Sequence, residues 1–392
     1  MKNAFISVFV RNNKEIQSLN GLRALAIIFI LILHTKVVIT TTQQNVPDIF
    51  LILLENLRSG VDLFFILSGF LISSGLYLNF KKDGKINYKN FYIKRSLRIF
   101  PAYYFYLLIS FLIVSLQVNN LPEGSHERYL AEKGLQYVIY DFIYLTNYFP
   151  SLNAHTWSLS IEEQFYLIFP LIASIFIFRM TFRKRIISYF ILYFTPLIIR
   201  IMIAIYFREN ITPDIYHKFI YKPFHTRFDA FIAGIMLMDL YYNSDFIKNL
   251  SEKTIRILLP AGMILFLIGH LAFHFDQYFL MYPFSYTFYH AAYGIWFLLA
   301  LNGKSIFAKM LNSRVFIPIA RVSYGIYLWH FIIGLIVAAA IMGNFAKGMN
   351  MGISQLILFI FLSLILNFAW ALFLYVIVEY PFLYLKKRLT GN

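Results

Sequence analysis

Apolar residues along this chain fall into ten runs, roughly 21–41, 60–79, 99–118, 157–178, 187–207, 224–242, 255–274, 284–302, 317–342 and 352–382. Each is near the ~20 residues that carry a helix across a bilayer core. Backbone in hydrocarbon must satisfy its own hydrogen bonds, so runs of this length with Gly and Pro inside them predict helices. The expected fold class is an all-α polytopic membrane protein, a bundle of about ten transmembrane helices over 21–382, with short tails at 1–20 and 383–392. The first 20 residues are basic and broken by polar side chains, without the apolar core and cleavage site of a signal peptide. The first run is therefore expected to stay in the protein.

Basic residues cluster in alternate connections. Lys2, Arg11 and Lys14 precede the first run, Lys81 to Arg98 follow the second, Arg179 to Arg185 the fourth, and Lys386, Lys387 and Arg388 the tenth. Under the positive-inside rule this alternation predicts ten crossings with both termini cytoplasmic. The longest connection, 119–156, is the acidic one, with Glu123, Glu127, Glu132 and Asp141, and is expected outside. Within it, 134–149 is apolar enough to be mistaken for a crossing, but counting it would invert every later loop. It is read as a helix lying in or dipping into the outer interface.

Composition narrows the class. The chain of 392 residues is 59% hydrophobic and 14% charged, against ~25% charged in soluble domains. A net charge of +16 would suggest nucleic acid, but the cations sit in short loops between apolar runs, so no nucleic-acid partner is expected. Cysteine is absent, which removes disulfides, thiol nucleophiles and thiolate metal sites.

Ionisable groups inside a bilayer cost at least ~2.5–3.5 kcal/mol each and usually face the protein interior, where they mark function. Arg23 and His34 share the first run. Eleven residues are three helical turns plus ~20°, so both project from one face about 16 Å apart, with Ile27 and Ile30 between them. A neutral imidazole there can serve as a base near pH 7, or can simply be bonded to a neighbouring helix while Arg23 reaches the interface. Asp62 opens the second run, at a depth suited either to orienting the imidazole or to capping its own helix. Arg95 and Arg98, with Lys94 beside them, begin the third run, where paired guanidiniums suit phosphate as well as ordinary positive-inside charge. Trp157 opens the fourth, with Glu162 and Glu163 a turn deeper, either lining a polar cavity or serving the helix dipole. Arg227 and Asp229 open the sixth and are also readable as a structural ion pair. His330 lies deep in the ninth, as a functional group or a helix-contact histidine, and Glu379 at the end of the tenth reads as interfacial. His270 and His274 are four apart but lack an H-E-x-x-H setting, so no metal site is expected.

These residues resemble the acyltransferase-3 family of membrane proteins, which O-acylate lipopolysaccharide, peptidoglycan, capsules and related glycans. The resemblance rests on Arg23 with His34, SGVDLFFILSGFLI at 59–72, FYIKRSLRIFPAYY at 91–104, TWSLSIEEQFYLIFP at 156–170, RFDAFIAGIML at 227–237, SYGIYLWH at 323–330 and VEYPF at 378–382, in family order. It implies His34 as the catalytic histidine, Arg23 as its partner, Arg95 and Arg98 as holders of the acyl donor, and Glu162 as the family's glutamate after Trp-Ser-Leu. It further implies acyl-CoA, acetyl-CoA first, as donor substrate and a surface or lipid-linked glycan as acceptor. The setting is a multi-pass protein of the bacterial cytoplasmic (inner) membrane, with the bilayer and envelope glycan-synthesis proteins as partners. Some members carry an added hydrolase-like domain; here the sequence ends soon after the tenth run, so any second transfer is expected to fall to another protein or to be unnecessary.

On this reading Asp62 or Glu162 orients His34, and Lys94 helps hold the donor. Trp157, Glu163, Arg227, Asp229 and His330 are the candidate acceptor contacts, and the imidazole either deprotonates the acceptor or transiently carries the acyl group. The rivals are a glycan or lipid-linked-sugar transporter or flippase, with buried charges lining its pathway, and a non-catalytic scaffold. No inverted repeat favours transport.

Overall fold

The computed structural model describes residues 2–12, 15–42, 48–210, 212–271, 282–342 and 353–391. Lys14, His274 and the edges of the seventh and tenth predicted runs lie outside them. The described residues are mostly helical, with no strand among them. In chain order the helices are α1 (Lys2–Phe9), α2 (Gln17–Thr42), α3 (Asp48–Asn56), α4 (Gly60–Asp83), α5 (Tyr88–Gln117), α6 (His126–Gln136), α7 (Ile139–Phe142), α8 (Trp157–Ile175) and α9 (Phe182–Tyr206). They continue with α10 (Pro213–Tyr216), α11 (Asp229–Asn243), α12 (Glu252–Leu271), α13 (Ser285–Asn302), α14 (Ile306–Leu311), α15 (Phe316–Met342), α16 (Ile353–Leu374) and α17 (Tyr380–Thr390).

Among the described residues, eight helical stretches are long and apolar enough to cross a membrane: Gln17–Lys36, Asp48–Asp83, Tyr88–Asn120, Ala154–Arg179, Phe182–Tyr206, Glu252–Leu271, Phe316–Ile341 and Ile357–Thr390. The chain is a multi-pass membrane protein. The sixth and eighth predicted runs are helices as well, but of a different kind. α11 has 15 residues, and α13 begins Ser-Tyr-Thr-Phe-Tyr-His. Protein rather than lipid covers most of both, so neither needs the apolarity of a lipid-facing span. The second run starts earlier than expected, because α3 and a 3-10 turn at Leu57–Ser59 lead directly into α4. The stretch 134–149 holds the end of α6 and the four-residue α7 rather than one long helix. Near the end of the tenth run a π-helical turn at Tyr375–Glu379 passes into α17, which carries the helix on to Thr390 with Pro381 in its first turn.

The chain groups into two compact units, Met1–Phe70 with Ala233–Ile377, and Leu71–Ile232 with Val378–Asn392. In the first, α15 packs on α2 and α16, α12 packs on α13, and α3 packs on α2 and α12. Val337, Ala338 and Phe359 form the α15–α16 core, and Leu54 and Leu57 bury against Phe29, Leu33 and Phe266. In the second, α17 and α6 pack on α5, and Phe165 stacks on Phe169 and Phe231.

Close approach of backbones in the first unit depends on missing side chains, as is usual where helices pack in membranes. A Cβ on Gly60 would fall 2.7 Å from the Ala26 carbonyl oxygen, so the first turn of α4 abuts the middle of α2. A Cβ on Gly234 would overlap the Ile66 carbonyl and meet the Phe70 nitrogen at 2.7 Å, both backbone atoms that cannot swing aside. Gly234→Ala is expected to destabilise the protein by about 1–3 kcal/mol, the usual cost of overpacking. Gly75→Ala, with nothing within 4 Å, is expected to be neutral. Thermal unfolding in detergent distinguishes the two, and equal midpoints would refute the close contact.

Candidate active site

α2 carries Arg23 and His34 on one helix, as their spacing requires. Ile27 and Ile30, between them on the stripe, are fully buried, and Arg23 and His34 are half-buried. This face of α2 therefore looks into protein. The His34 ring lies 4.6 Å from the His330 ring of α15 and 4.2 Å from Phe331, centroid to centroid. Both histidines line a cavity of about 40 Å³ whose polar wall is Thr35, Ser363 and Asn367. About 10–15 Å³ already admits one water, so a hydroxyl group fits beside the two rings. His330 Nδ1 is 2.6 Å from the Tyr327 carbonyl oxygen, which can only accept. Nδ1 therefore carries the proton, leaving Nε2 as the acceptor nitrogen of the neutral ring.

Asp62 is buried in the same unit, and its Oδ1 lies 3.2 Å from His290 Nε2. Nearby is a hydrogen-bonded chain around His270 that the sequence did not reveal. His270 Nδ1 is 2.7 Å from the Phe266 carbonyl and must donate to it. In the neutral ring Nε2 then accepts from the Ser59 hydroxyl at 2.7 Å, and Ser59 Oγ accepts from Tyr293 OH at 2.6 Å. Asn56 Nδ2 donates to the His270 carbonyl oxygen at 2.9 Å. The chain is directional from phenol to imidazole and is buried throughout. Its members sit at 56, 59, 270 and 293, a separation that no local motif reports.

In the second unit, Arg95 lies with its guanidinium 5.4 Å from the Tyr166 ring centroid and within electrostatic reach of Glu162 and Glu163. All three are half-buried; Lys94 is half-buried beside them and Arg98 is exposed. Arg227, fully buried, is caged between Trp157 and Tyr221, at 5.4 and 5.0 Å from their rings, and donates to the Tyr221 carbonyl at 3.0 Å. The Asp229 carboxylate receives Arg200 Nη1 at 2.7 Å, and the same nitrogen reaches the Thr226 carbonyl at 2.6 Å. Arg200 escaped notice in the sequence although it stands alone in the apolar run LIIRIMIAIY. The cost that singles out Asp62 applies equally to it.

The connection between α5 and α8 is folded around Asp141. Its carboxylate accepts from the backbone N–H groups of Leu152 and Asn153 at 2.8 and 3.1 Å. Asn153 Oδ1 in turn receives Tyr106 OH at 2.8 Å and Ser110 Oγ at 2.7 Å, and Tyr103 OH donates to the Asp141 carbonyl at 2.8 Å. Three residues of α5 thus fasten this segment. Burial raises the Asp141 carboxyl from its ordinary 3.8 to about 6, against the opposing pull of the two N–H donors.

A family model described as an acyltransferase domain matches residues 16–376. Among curated proteins, the chain is 28% identical over 332 residues to O-acetyltransferase OatA of Staphylococcus aureus strain NCTC 8325, and equally to OatA of strain MRSA252. Each alignment covers 81% of this chain and 50% of the relative. The chain spans about half the length of the curated relatives it matches. No solved structure matches it.

Two measurements test the second unit. Arg200→Met strands the Asp229 carboxylate and is expected to cost about 3–5 kcal/mol, with the double change Arg200→Met, Asp229→Leu recovering most of it. A single variant as stable as wild type in thermal unfolding would contradict the pairing. The Asp141 carboxyl titrates higher in the folded chain than in an unfolded one, so its proton stabilises the fold. That stabilisation is full below about pH 3.8 and is lost as pH rises through about 6. Amide exchange across 119–156, corrected for intrinsic rates, is expected to be slower at pH 5 than at pH 7 in wild type. Asp141→Asn should abolish the difference; its persistence in that variant would refute the assignment.

Proposed function

The chain belongs to the acyltransferase-3 family, and from that premise we propose that it is an O-acyltransferase moving an acyl group, acetyl first, from acyl-CoA to a glycan hydroxyl. The acceptor is a surface or lipid-linked glycan, and the setting is the bacterial cytoplasmic membrane. The observation that carries this reading is the pair His34 and His330, 4.6 Å apart over a small cavity that also presents Ser363 and Asn367. An imidazole in such a place is accessible, only partly solvated, and able to take and return a proton near neutral pH.

In this reading His34 removes the acceptor hydroxyl's proton as the oxygen attacks the thioester carbonyl carbon. The C–O bond forms, the C–S bond breaks, and the imidazolium returns its proton to the departing thiolate. His330, its Nε2 free of the ring proton, helps keep the pocket neutral and polar. Arg23, on the His34 stripe, and Arg95 with Arg98 and Lys94 are assigned to the donor's negative charge, because guanidiniums pair with phosphate in a fork geometry. Glu162 and Glu163 set the charge around Arg95. Asp62 acts through His290, the ring that its carboxylate meets. Trp157, Arg227 and Asp229, enclosed by their own neighbours, shape the acceptor's wall.

Positioned proton transfer contributes about 10²–10⁴-fold. His34→Ala is expected to lower O-acetyl transfer by at least about 10²-fold, read by mass spectrometry of surface glycans, with normal membrane insertion. Transfer at the wild-type rate would refute the role of His34. Purified wild-type protein is expected to release CoA from acetyl-CoA when glycan is added. Glycan movement across a vesicle without CoA release would favour a transporter instead.

A further inference from the structure

The second unit gathers cations from two helices at one place. Lys94, Arg95 and Arg98 lie in the first turns of α5, and α17 packs along α5. Lys386 of α17 is half-buried there, and the charges that act most strongly on its ammonium are positive: Arg98, Arg95, Lys94 and Lys387. Among the described residues, Arg95, Arg98 and Lys386 have no salt bridge to a carboxylate. Elsewhere in the molecule, two buried guanidiniums each have a carboxylate beside them: Arg200 has Asp229, and Arg58 has Glu55. Glu162, Glu163 and Glu379 lie within electrostatic reach of this cluster without a salt bridge to Arg95, Arg98 or Lys386, and the fork of a guanidinium suits phosphate.

A second observation comes from the turn that delivers α17. Glu379, 7% exposed, closes the π-helical turn within electrostatic reach of Arg98, and its Oε1 has no hydrogen-bond partner among the described residues. An acceptor of this kind beside a phosphate-binding cluster fits a ligand that carries both phosphate and hydrogen-bond donors. A π-turn inside a helix is itself a feature concentrated at binding sites.

We infer that α17 is the second wall of a phosphate-binding site, with Lys386 joining Arg95 and Arg98 on a multiply phosphorylated ligand. Resting on the proposed function, the ligand is the nucleotide end of the acyl-CoA donor, and Lys386 is a donor-binding residue. The same chemistry is offered by anionic lipid headgroups, so the test separates the two.

The full chain, purified into nanodiscs of neutral lipid, is titrated with adenosine 3′,5′-bisphosphate and with acetyl-CoA, and the series is repeated with anionic lipid. A charge-assisted bond to phosphate makes Lys386→Gln lose about tenfold in affinity for both probes in neutral lipid. The KM for acetyl-CoA should rise in parallel, with kcat within about twofold, and Lys386→Arg should restore binding. Lys386→Gln with unchanged affinity, while Arg98→Gln binds more weakly, overturns the inference and leaves the donor role of the arginines standing. No effect of either variant overturns both. A Lys386 effect seen only with anionic lipid, as altered lipid retention, assigns α17 to headgroups and overturns the donor site.

Discussion

An ionisable side chain in a helix long enough to cross a bilayer must find its partner inside the protein or cost several kcal/mol, and the packing of each unit follows from how that demand is met. Arg200 stands alone in the apolar second half of α9; its bonds to Asp229 and the Thr226 carbonyl fix where α9 meets the start of α11. Arg227 is held between two aromatic faces and a carbonyl. In the first unit Ser59, His270, Tyr293 and Asn56 bind α3, the 3-10 turn at Leu57–Ser59, α12 and α13 through one hydrogen-bonded chain. Apolar contacts between helices gain little over lipid, so such polar fastenings and close glycine contacts specify which faces meet.

The same rule governs proton positions. A backbone carbonyl accepts only, so a histidine whose Nδ1 sits against the carbonyl three or four residues earlier has its tautomer set by its own helix. His270 and His330 both do this. In each, the far nitrogen of the neutral ring is turned outward as an acceptor, towards Ser59 in one case. A helix thus supplies oriented bases without any acid partner. Asp62 with His290 is the contrasting arrangement, a carboxylate on a ring nitrogen.

The membrane class and most helices were legible because water-soluble folds rarely tolerate runs of ~20 apolar residues, whereas a bilayer demands them. The Arg23–His34 stripe was legible because helical periodicity is local. What failed to show was non-local. α13 is polar in its first half because protein covers it, and its helix begins at Ser285 close to the expected 284; apolarity alone does not rank it with the lipid-facing spans. The second run begins earlier than its apolarity suggests, because the 3-10 turn at Leu57–Ser59 puts Arg58 and Ser59 amid an apolar stretch and looks like an ending. Arg58 is held there by Glu55, three residues back, and the helix runs on. The expected depth of Asp62 shifts for the same reason: α4 begins against Ala26 rather than level with His34. Partners such as Asp62 with His290 lie 228 residues apart, and no spacing rule reaches them.

Two groups of cations in this molecule sit in different chemical situations, and the distinction separates architecture from binding. Arg58 and Arg200 each have a carboxylate at hydrogen-bonding range, and their charge is already neutralised. Arg95, Arg98 and Lys386 stand among like charges, with Glu162, Glu163 and Glu379 near enough to moderate the field but not hydrogen-bonded to them. Removing a member of the first group strands a buried anion and weakens the fold. Removing one of the second relieves repulsion in the ligand-free protein and weakens only the state in which an anion is bound. A cation cluster that neighbouring carboxylates offset without bonding to it, and which two packed helices hold in place, is preorganised for a ligand whose charge completes it.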